Sequence, residues 1–371
     1  MRCAALLLLL VALPLRADPL DDLKKKHEAA QKAYFEVVEK LPDTPAGHEE
    51  MDRLWKAFDR EQGSHFEAAV RLAMADPKSD AACDALNWVL SIPRAYYLDA
   101  GLPAFDLATT FHAANPRIGP AAAMVGRHLP TDSFHPARHA AAMKFIEAVA
   151  ARNTDQTARG QAKSGLAYQA YRRFAFAEYE RSKDTDRLAA EVEAAYEALA
   201  RDHSTCRDLR SKTRTIGEEA HAALHELRNL RVGKIAPDIT HDDLDGKRFK
   251  LSDSRGKVTL LVFWGHWCGP CMRLVPQERA LAERYSGKPF TIVGVNCDED
   301  RANARDVATR EKMTWRSFWE GDERRISREW NIHGYPETYL LDAAGVIRFR
   351  GVVRDDLDKA VADLMAELEK K

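Results

Sequence analysis

The cysteines Cys268 and Cys271 lie between a predicted strand and a predicted helix, and this junction constrains the fold more than any other feature. The apolar run Val258–Trp264 comes first and favours a buried strand, whereas residues 272–285 have a helical pattern. Two cysteines separated by two residues at such a junction are typical of groups that exchange thiols and disulfides.

The predicted helix explains how the two cysteines divide the chemistry. Cys268 should lie at the helix N-terminus, where unpaired backbone N–H groups and the positive end of the dipole favour a thiolate. A free cysteine has a pKa of about 8.5, and lowering it to about 7 makes roughly half of the thiol reactive at neutral pH. Cys271 follows one turn later, and Pro270 stiffens that turn at little cost. We predict Cys268 as the attacking thiol and Cys271 as the resolving thiol.

A zinc site is the main alternative for two cysteines at this spacing. Zinc in proteins usually needs a second Cys or His pair at comparable spacing. The remaining cysteines form no such pair, and His266 lies in the same loop: they are Cys3, Cys83, Cys206 and Cys297. A purely structural disulfide is also disfavoured, because so short a ring confines the unfolded chain little. We predict no metal and no organic cofactor; the Cys268–Cys271 disulfide is the expected redox group.

The last third of the chain alternates strands and helices. Residues 231–238 carry Gly and Pro and indicate a linker into a new domain, predicted over residues 231–371. Further strands are predicted at residues 290–295, 338–341 and 346–349, and further helices at 302–312 and 355–370. This order indicates an α/β domain whose mixed sheet is covered by helices on both faces.

Several motifs between residue 232 and the C-terminus resemble the TlpA/ResA type of thioredoxin-like proteins, which are secreted or membrane-anchored. The motifs are Gly233-Lys-Ile-Ala-Pro-Asp238, Asp245-Gly-Lys-Arg-Phe-Lys-Leu-Ser252, Gly256-Lys-Val258, Phe263-Trp264 with Trp267-Cys-Gly-Pro-Cys271, Val293-Gly-Val-Asn296, Trp330-Asn-Ile-His-Gly-Tyr-Pro336 and Tyr339-Leu-Leu-Asp342. The resemblance covers a little over a third of the chain. It implies a thioredoxin-like fold and thiol–disulfide oxidoreductase activity.

The resemblance also assigns roles to residues. Cys268 and Cys271 match the redox pair, and Pro336 matches the cis-proline that faces the disulfide in thioredoxin-like folds. A cis X–Pro bond lets the preceding backbone, here that of Tyr335, pair with an extended client polypeptide. Client binding is expected at four residues, which are Trp267, Gly269, Pro270 and Tyr335. Pro276 matches a proline that kinks the active-site helix.

Two departures from the family pattern leave the proton-handling residue open. Cytoplasmic thioredoxins have a buried Asp where this chain has Val262, and many TlpA/ResA-type proteins have a Glu where it has Leu274. A buried carboxylate would help to move protons to and from the resolving thiol. Glu278 and Glu337 are the remaining candidates, with the solvated surface as the usual place for a glutamate.

A peroxiredoxin-type peroxidase is an alternative enzyme class, since it shares the entry segment Ala236-Pro-Asp238. That chemistry needs a Thr or Ser three residues before the peroxidatic cysteine, where this chain has Gly265. The nearby Cys271 also differs from the usual distant resolving cysteine. Both differences disfavour peroxidase activity.

The N-terminus has the pattern of a secretory signal peptide, predicted over residues 1–17. Arg2 supplies the positive start, an apolar core runs to Leu13, and Ala17 offers a small residue for cleavage. The apolar run is shorter than the about 20 residues that a membrane span needs. An uncleaved anchor is the alternative. We expect secretion across the inner membrane into a bacterial periplasm, with no stable membrane span after cleavage.

Residues 18–230 are predicted to form a separate all-α domain of roughly eight to ten helices. Segments with helical spacing of apolar residues are 23–40, 49–75, 137–152, 161–181 and 188–200. Antiparallel helix hairpins of the TPR type are an open alternative, although the sequence shows no clean repeat of that kind. The aromatic residues, including Phe176 and Tyr179, are expected in the core, with a partner-binding groove as the alternative. Sequence separation neither requires nor excludes a Cys83–Cys206 disulfide.

The balance of charge limits the partners. The chain has 56 Lys and Arg against 57 Asp and Glu, without the basic face of a nucleic-acid binder. The expected partners are client proteins with thiols or disulfides, and a thiol protein that donates or accepts electrons.

Two functions remain open. The first is an envelope thiol–disulfide oxidoreductase whose helical domain selects or positions a client. Its Gly-Pro dipeptide resembles the reducing thioredoxins, near about −270 mV, and so favours a reductase. The second is a helical interaction or scaffold protein with a passive thioredoxin-like module.

Overall fold

The computed structural model describes residues 19–42, 44–129, 134–180, 182–211, 213–332, 334–351 and 355–370, apart from the side chain of Asp355. The predicted signal segment at residues 1–17 lies outside this range. Among the helices described, none combines the length and the apolar character that crossing a membrane requires.

The chain divides into two compact units. The first is Met1–Leu166 with Asp208–Lys212, and the second is Ala167–Arg207 with Thr213–Lys371. The second unit therefore contains helical residues before 231 together with the whole of the C-terminal third. The boundary at residue 231 stays a prediction, because compactness reports contacts rather than independent folding.

Nine α-helices precede residue 231 in the described part of the chain, in agreement with the predicted all-α character. They are α1 Pro19–Val38, α2 Pro45–Ala75, α3 Asp80–Leu90, α4 Gly101–Leu107, α5 Gly119–His128, α6 Pro136–Arg152, α7 Gln156–Tyr179, α8 Thr185–Asp202 and α9 Ile216–Asn229. Prolines begin α2 and α6, because the first helical position needs no backbone donor.

Helix α9 shows how the sequence defines one of these elements. The Thr215 hydroxyl accepts the Glu218 N–H at 3.2 Å, and the Glu218 carboxylate accepts the Thr215 N–H at 2.7 Å. This capping box satisfies two backbone donors that a helix start would leave unpaired. Apolar residues such as Leu224 and Leu227 then pack against α7 and α8 in one buried cluster.

The C-terminal third contains seven strands and four further α-helices among the described residues. The strands are β1 Thr240–Asp242, β2 Arg248–Lys250, β3 Val258–Trp264, β4 Phe290–Asn296, β5 Ser317–Trp319, β6 Glu337–Leu341 and β7 Ile347–Arg350. The helices are α10 Gly269–Arg284, α11 Arg301–Arg310, α12 Arg325–Glu329 and α13 Asp355–Glu369.

Five of these strands form one mixed sheet in the order β5-β4-β3-β6-β7. Strands β3, β4 and β5 run parallel, whereas β6 and β7 join antiparallel to their neighbours. Strand β3 lies in the centre and is buried along its whole length. The predicted α/β domain with a mixed sheet is therefore confirmed.

Alternating residues of β3 explain why both faces of the sheet are covered. Leu260 and Val262 pack in one buried cluster with residues of α10 and α13. Leu261 and Phe263 point the other way, into a cluster with Trp330 and Leu230. A strand with two apolar faces is stable only when both faces are covered. This covering places the C-terminal end of β3, which leads to the cysteines, in the middle of the domain.

Sequence separation alone does not decide whether Cys83 and Cys206 are linked, and in the structure both are free cysteines. Phe176 is 66% exposed and Tyr179 is 53% exposed, so the prediction of a core position is wrong for both. Both lie in the last turn of α7.

Candidate active site

Cys268 and Cys271 form a disulfide at the start of α10, with their Cα atoms 5.2 Å apart. Cys268 is the residue that caps the helix, and its sulfur accepts the backbone N–H of Cys271 at 3.1 Å. The two side chains are 5% and 3% exposed, so burial does not distinguish their roles. The helix cap does, because it points backbone donors at the Cys268 sulfur and thus favours negative charge there.

A tight turn connects β3 to these cysteines. The Cys268 N–H donates to the Gly265 carbonyl at 3.1 Å and closes the turn. A Cβ atom at Gly265 would lie 2.9 Å from the Trp267 ring and 3.1 Å from Asp298 Oδ1. The turn therefore needs glycine at this position for lack of space.

The residues predicted to bind a client lie around the disulfide. Trp267 is 51% exposed, and its ring centroid lies 5.4 Å from that of Tyr335 in an edge-on contact. Gly269 and Pro270 are also exposed. These positions form an accessible surface beside the cysteines, and their role in client binding stays a prediction.

The peptide bond between Tyr335 and Pro336 is cis, as predicted. Tyr335 packs against the buried cluster that contains both cysteines. Its hydroxyl lies 3.1 Å from Ser327 Oγ, and burial raises the pKa of this phenol to about 12. The phenol thus stays protonated, and the structure brings Tyr335, Trp267 and the disulfide into one neighbourhood.

The structure shows a histidine–aspartate pair beside the motif that the sequence did not predict. Asp298 Oδ1 accepts the His266 Nδ1–H at 2.9 Å, and the same carboxylate accepts the His266 backbone N–H at 3.1 Å. Asp298 is 1% exposed and also accepts the Asn296 amide at 2.9 Å. These contacts fix the loop that presents Cys268.

Two arginines add positive charge to the surface around the motif. The Arg324 guanidinium lies 5.8 Å from the centroid of the Trp267 ring. Arg273 Nη1 lies 3.5 Å from the place that a Gly269 Cβ would occupy. Positive groups near a cysteine favour its thiolate form. No sequence signal marked Arg324, because it reaches Trp267 from a distant part of the chain.

Glu278 is buried, so its expected place on the solvated surface is wrong. The residue is 3% exposed and shares the buried face of α10 with Cys271 and Leu274. Burial alone raises the pKa of its carboxyl from 4.5 to about 8. Cys271 lies seven residues earlier, about 10 Å along the axis, and Leu274 lies between them. A proton-handling role for Glu278 stays a prediction.

Glu337 is partly buried, with 20% of its side chain exposed, so it does not lie on the open surface expected for a glutamate. Its carboxylate accepts the Arg350 Nε–H at 3.2 Å. Burial raises the pKa of Glu337, and the positive charge of Arg350 opposes that shift. A carboxylate held in an ion pair is a poor proton carrier, so Glu337 suits a structural role better than a catalytic one.

A third cysteine, Cys297, lies behind the site. It is fully buried, and its thiol donates to the Trp264 carbonyl at 3.1 Å. Burial raises the pKa of this thiol to about 12, which makes it unreactive. Within the described residues, no group of three or more His, Cys, Asp or Glu is arranged to hold a metal.

Known proteins are similar to this chain in the same C-terminal third. The redoxin family profile matches residues 231–368. The thioredoxin-like protein YneN of Bacillus subtilis is 33% identical over 122 residues, which cover 32% of this chain and 70% of that protein. The thiol-disulfide oxidoreductase ResA of Geobacillus thermodenitrificans is 32% identical over 119 residues, which cover 32% of this chain and 68% of that protein.

Among solved structures, the thioredoxin domain of a thiol-disulfide oxidoreductase from Bacteroides vulgatus is 28% identical. It covers 37% of this chain and 99% of that chain, with a TM-score of 0.35. The redoxin match begins at residue 231 and thus leaves α1 to α9 outside it.

Proposed function

The chain belongs to the TlpA/ResA-type thiol–disulfide oxidoreductases of the redoxin family, and on this basis we propose that it reduces disulfides in client proteins through Cys268 and Cys271. The observation that carries the proposal is the disulfide at the start of α10, where the Cys268 sulfur accepts the N–H of Cys271 at 3.1 Å. In the reduced protein, the same backbone N–H would stabilise a thiolate at Cys268.

The reaction begins with the reduced protein. The Cys268 thiolate attacks one sulfur of a client disulfide, forms a mixed disulfide, and expels the other client sulfur as a thiolate that takes up a proton. Cys271 then loses its proton and attacks the Cys268 sulfur, which releases the second client thiol. Two electrons have passed to the client, and the protein is left with the Cys268–Cys271 disulfide.

The surroundings of Cys268 support its role as the attacking group. It lies at the positive end of α10, and Arg324 and Arg273 lie close to the adjoining residues Trp267 and Gly269. Cys271 lies inside the first turn and faces the core with Leu274. The client meets Cys268 beside the exposed Trp267, and Tyr335 offers its backbone to an extended segment of the client.

The cycle needs a second partner. Since the protein ends each turnover oxidised, a thiol protein must return two electrons to Cys268 and Cys271. The predicted signal segment favours action outside the cytoplasm, in the bacterial periplasm, where disulfides form and need management.

Disulfide exchange is tested with insulin as the client. We expect catalytic reduction of insulin by dithiothreitol in the presence of the protein, and no catalysis by a Cys268→Ala variant. A reduced Cys271→Ala variant should accumulate a mixed disulfide with insulin, visible on a non-reducing gel. The matched Cys268→Ala variant should accumulate none, since it lacks the attacking thiol. Failure of Cys271→Ala to form the adduct would favour the passive interaction module instead.

The direction of electron flow is tested by equilibrium redox titration of the full chain against dithiothreitol or glutathione. A reductase should have a midpoint below about −230 mV, and a midpoint above about −150 mV would make the protein an oxidant of its clients. Cys83, Cys206 and Cys297 are free in the structure, so a Cys268→Ser/Cys271→Ser variant supplies the background. That variant should show no two-electron couple.

A further inference from the structure

Glu226 of α9 lies at the centre of a buried polar cluster in the second unit. The residue is 1% exposed. Its Oε1 accepts the Tyr171 hydroxyl from α7 and Nη1–H of Arg350 from β7, and its Oε2 accepts the Asn331 amide. A buried carboxylate with donors on both oxygens is held in one orientation, and it holds its donors in turn.

Two of these contacts reach the segment that contains Pro336. Asn331 lies five residues before Pro336 and bonds to Glu226 directly. Glu337 follows Pro336 and bonds to Arg350 at 3.2 Å, while Arg350 itself bonds to Glu226. Glu226 therefore anchors the chain on both sides of the cis-proline.

The strand register explains the second contact. Tyr339 of β6 lies opposite Arg350 of β7. Glu337 is two residues before Tyr339 and so points to the same face of the sheet. The Arg350 side chain lies over the Tyr339 ring, 5.3 Å from its centroid, and reaches Glu337 and Glu226 from there. The sheet thus directs Arg350 between the cis-proline segment and α9.

The first contact depends on an unusual backbone. Asn331 has a φ of 47° and is 6% exposed. Asn is one of the few residues that adopt this left-handed conformation readily, because its short polar side chain can form hydrogen bonds with nearby groups. The bond to Glu226 satisfies that amide in the interior, where an unpaired polar group is costly.

We propose that Glu226 is a positioning residue, which holds the cis-proline segment from both sides and so sets how efficiently Cys268 reacts with polypeptide clients. The inference rests on the proposed function and deepens it. Glu226 and Tyr171 lie before residue 231, outside the redoxin match. In this protein, helices α7 and α9 would therefore belong to the machinery of client exchange.

The test compares two disulfides that differ in their need for the cis-proline segment. Under the proposed function, a polypeptide such as insulin is expected to pair with the backbone beside Pro336, whereas hydroxyethyl disulfide has no backbone to pair. Reduced protein is mixed with each, and the second-order rate constant for oxidation of Cys268 is measured by acid quenching and thiol labelling. For Glu226→Gln we expect the insulin rate constant to fall by about tenfold or more relative to that for hydroxyethyl disulfide.

A matched control breaks another ion pair of α9. Glu193 of α8 accepts the Arg228 Nε–H at 2.6 Å on the exposed side of the helix pair. Glu193→Gln makes the same chemical change without contact to the cis-proline segment, and we expect both rate constants to stay as in the wild type. A similar loss of insulin reactivity in Glu193→Gln would overturn the proposal, since any disturbance of the helices would then suffice.

A second variant approaches the same contact from the other side. Asn331→Gly keeps the left-handed backbone accessible and removes only the amide that bonds to Glu226. It should lower the insulin rate constant in the same selective manner, and it serves if Glu226→Gln fails to fold. Combined with Glu226→Gln it should cause less than the sum of the two separate effects, because both remove one contact.

The outcomes separate this proposal from the proposed function. If wild-type protein reacts with neither disulfide, the exchange function itself fails. If wild-type protein reacts and the variants match it with both disulfides, the positioning role is wrong. If both rate constants fall together, Glu226 supports the fold in general, and the specific role is again wrong.

Discussion

Glu278 is a carboxyl group buried inside the domain that contains the cysteines. The sequence offers Glu278 as one candidate for proton handling, with the solvated surface as the usual place for a glutamate. The packing of α10 on the sheet buries it beside Leu274. A carboxyl in that position favours its protonated form, because burial penalises the charge.

Glu278 should make stability depend on pH in a defined window. Its folded pKa of about 8 exceeds the ordinary 4.5, so between these values the folded protein holds a proton that the unfolded chain has lost. The free energy of unfolding should then fall as pH rises, by up to about 1.4 kcal/mol per pH unit from this group. Glu278→Gln should remove this contribution, so that the variant is more stable than wild type at pH 8 and close to it near pH 4.5.

The measurement is urea denaturation of wild type and Glu278→Gln across that pH range. The difference between the two proteins isolates this one group from other buried acids such as Glu320. A constant difference at all pH values would contradict the raised pKa. Glu283→Gln, on the exposed side of the same helix, is the matched control for the loss of a carboxylate from α10.

At the scale of elements, close contacts between helices in the first unit depend on the absence of side chains. A Cβ atom at Gly126 of α5 would lie 2.4 Å from the Cα of Gly165 in α7. Such a distance requires the two helices to move apart. Their crossing is therefore set by a pair of glycines that are far apart in sequence, which the helical pattern alone does not predict.

Gly126→Ala should destabilise the protein by about 1–3 kcal/mol, because the cost of overpacking exceeds the gain in helix propensity of about 1 kcal/mol. Gly63→Ala in α2 is the matched control, since its new methyl group would meet only Leu98 Cδ1 at 3.8 Å. That variant should gain about 0.5–1 kcal/mol. Urea denaturation followed by circular dichroism gives both values, and equal signs for the two variants would contradict the close crossing.

At the scale of the whole molecule, the family match and the compact unit that contains it have different N-terminal limits. The redoxin match begins at residue 231, whereas the second compact unit extends to helices before that residue. Leu230 is fully buried against the sheet cluster, and Glu226 bonds to Arg350 of β7. A fragment that begins at 231 would leave Arg350 and Glu337 without this cover.

We expect residues 167–371 to unfold in one cooperative transition and residues 231–371 to be less stable. Removal of one partner from a buried ion pair typically costs about 3–5 kcal/mol, to which exposed apolar surface adds. The measurement is the urea midpoint of each fragment. Equal midpoints would support the boundary at residue 231 and make α7 to α9 accessory to the redox domain.

The local sequence pattern alone determined the strands and helices whose defining residues are neighbours in the chain. Strand β3 occupies the predicted residues 258–264, and α10 begins at the cysteine motif, because an apolar run and a helical period are properties of neighbouring residues. The cis bond at Pro336 followed from the family resemblance. The short strand β5 was missed, since three residues carry no period and Phe318 is held there by stacking on Phe249 at 3.8 Å.

Only the tertiary structure decided which distant residues surround the cysteines. Asp298 fixes His266, Arg324 lies over Trp267, and Glu226 anchors both sides of Pro336, each across tens of residues or more. Such contacts leave no periodic trace, because they depend on how separate elements pack and not on the spacing within one. The sequence therefore determined the redox pair and the type of sheet, whereas the packing of sheet and helices decided the charges and supports around that pair.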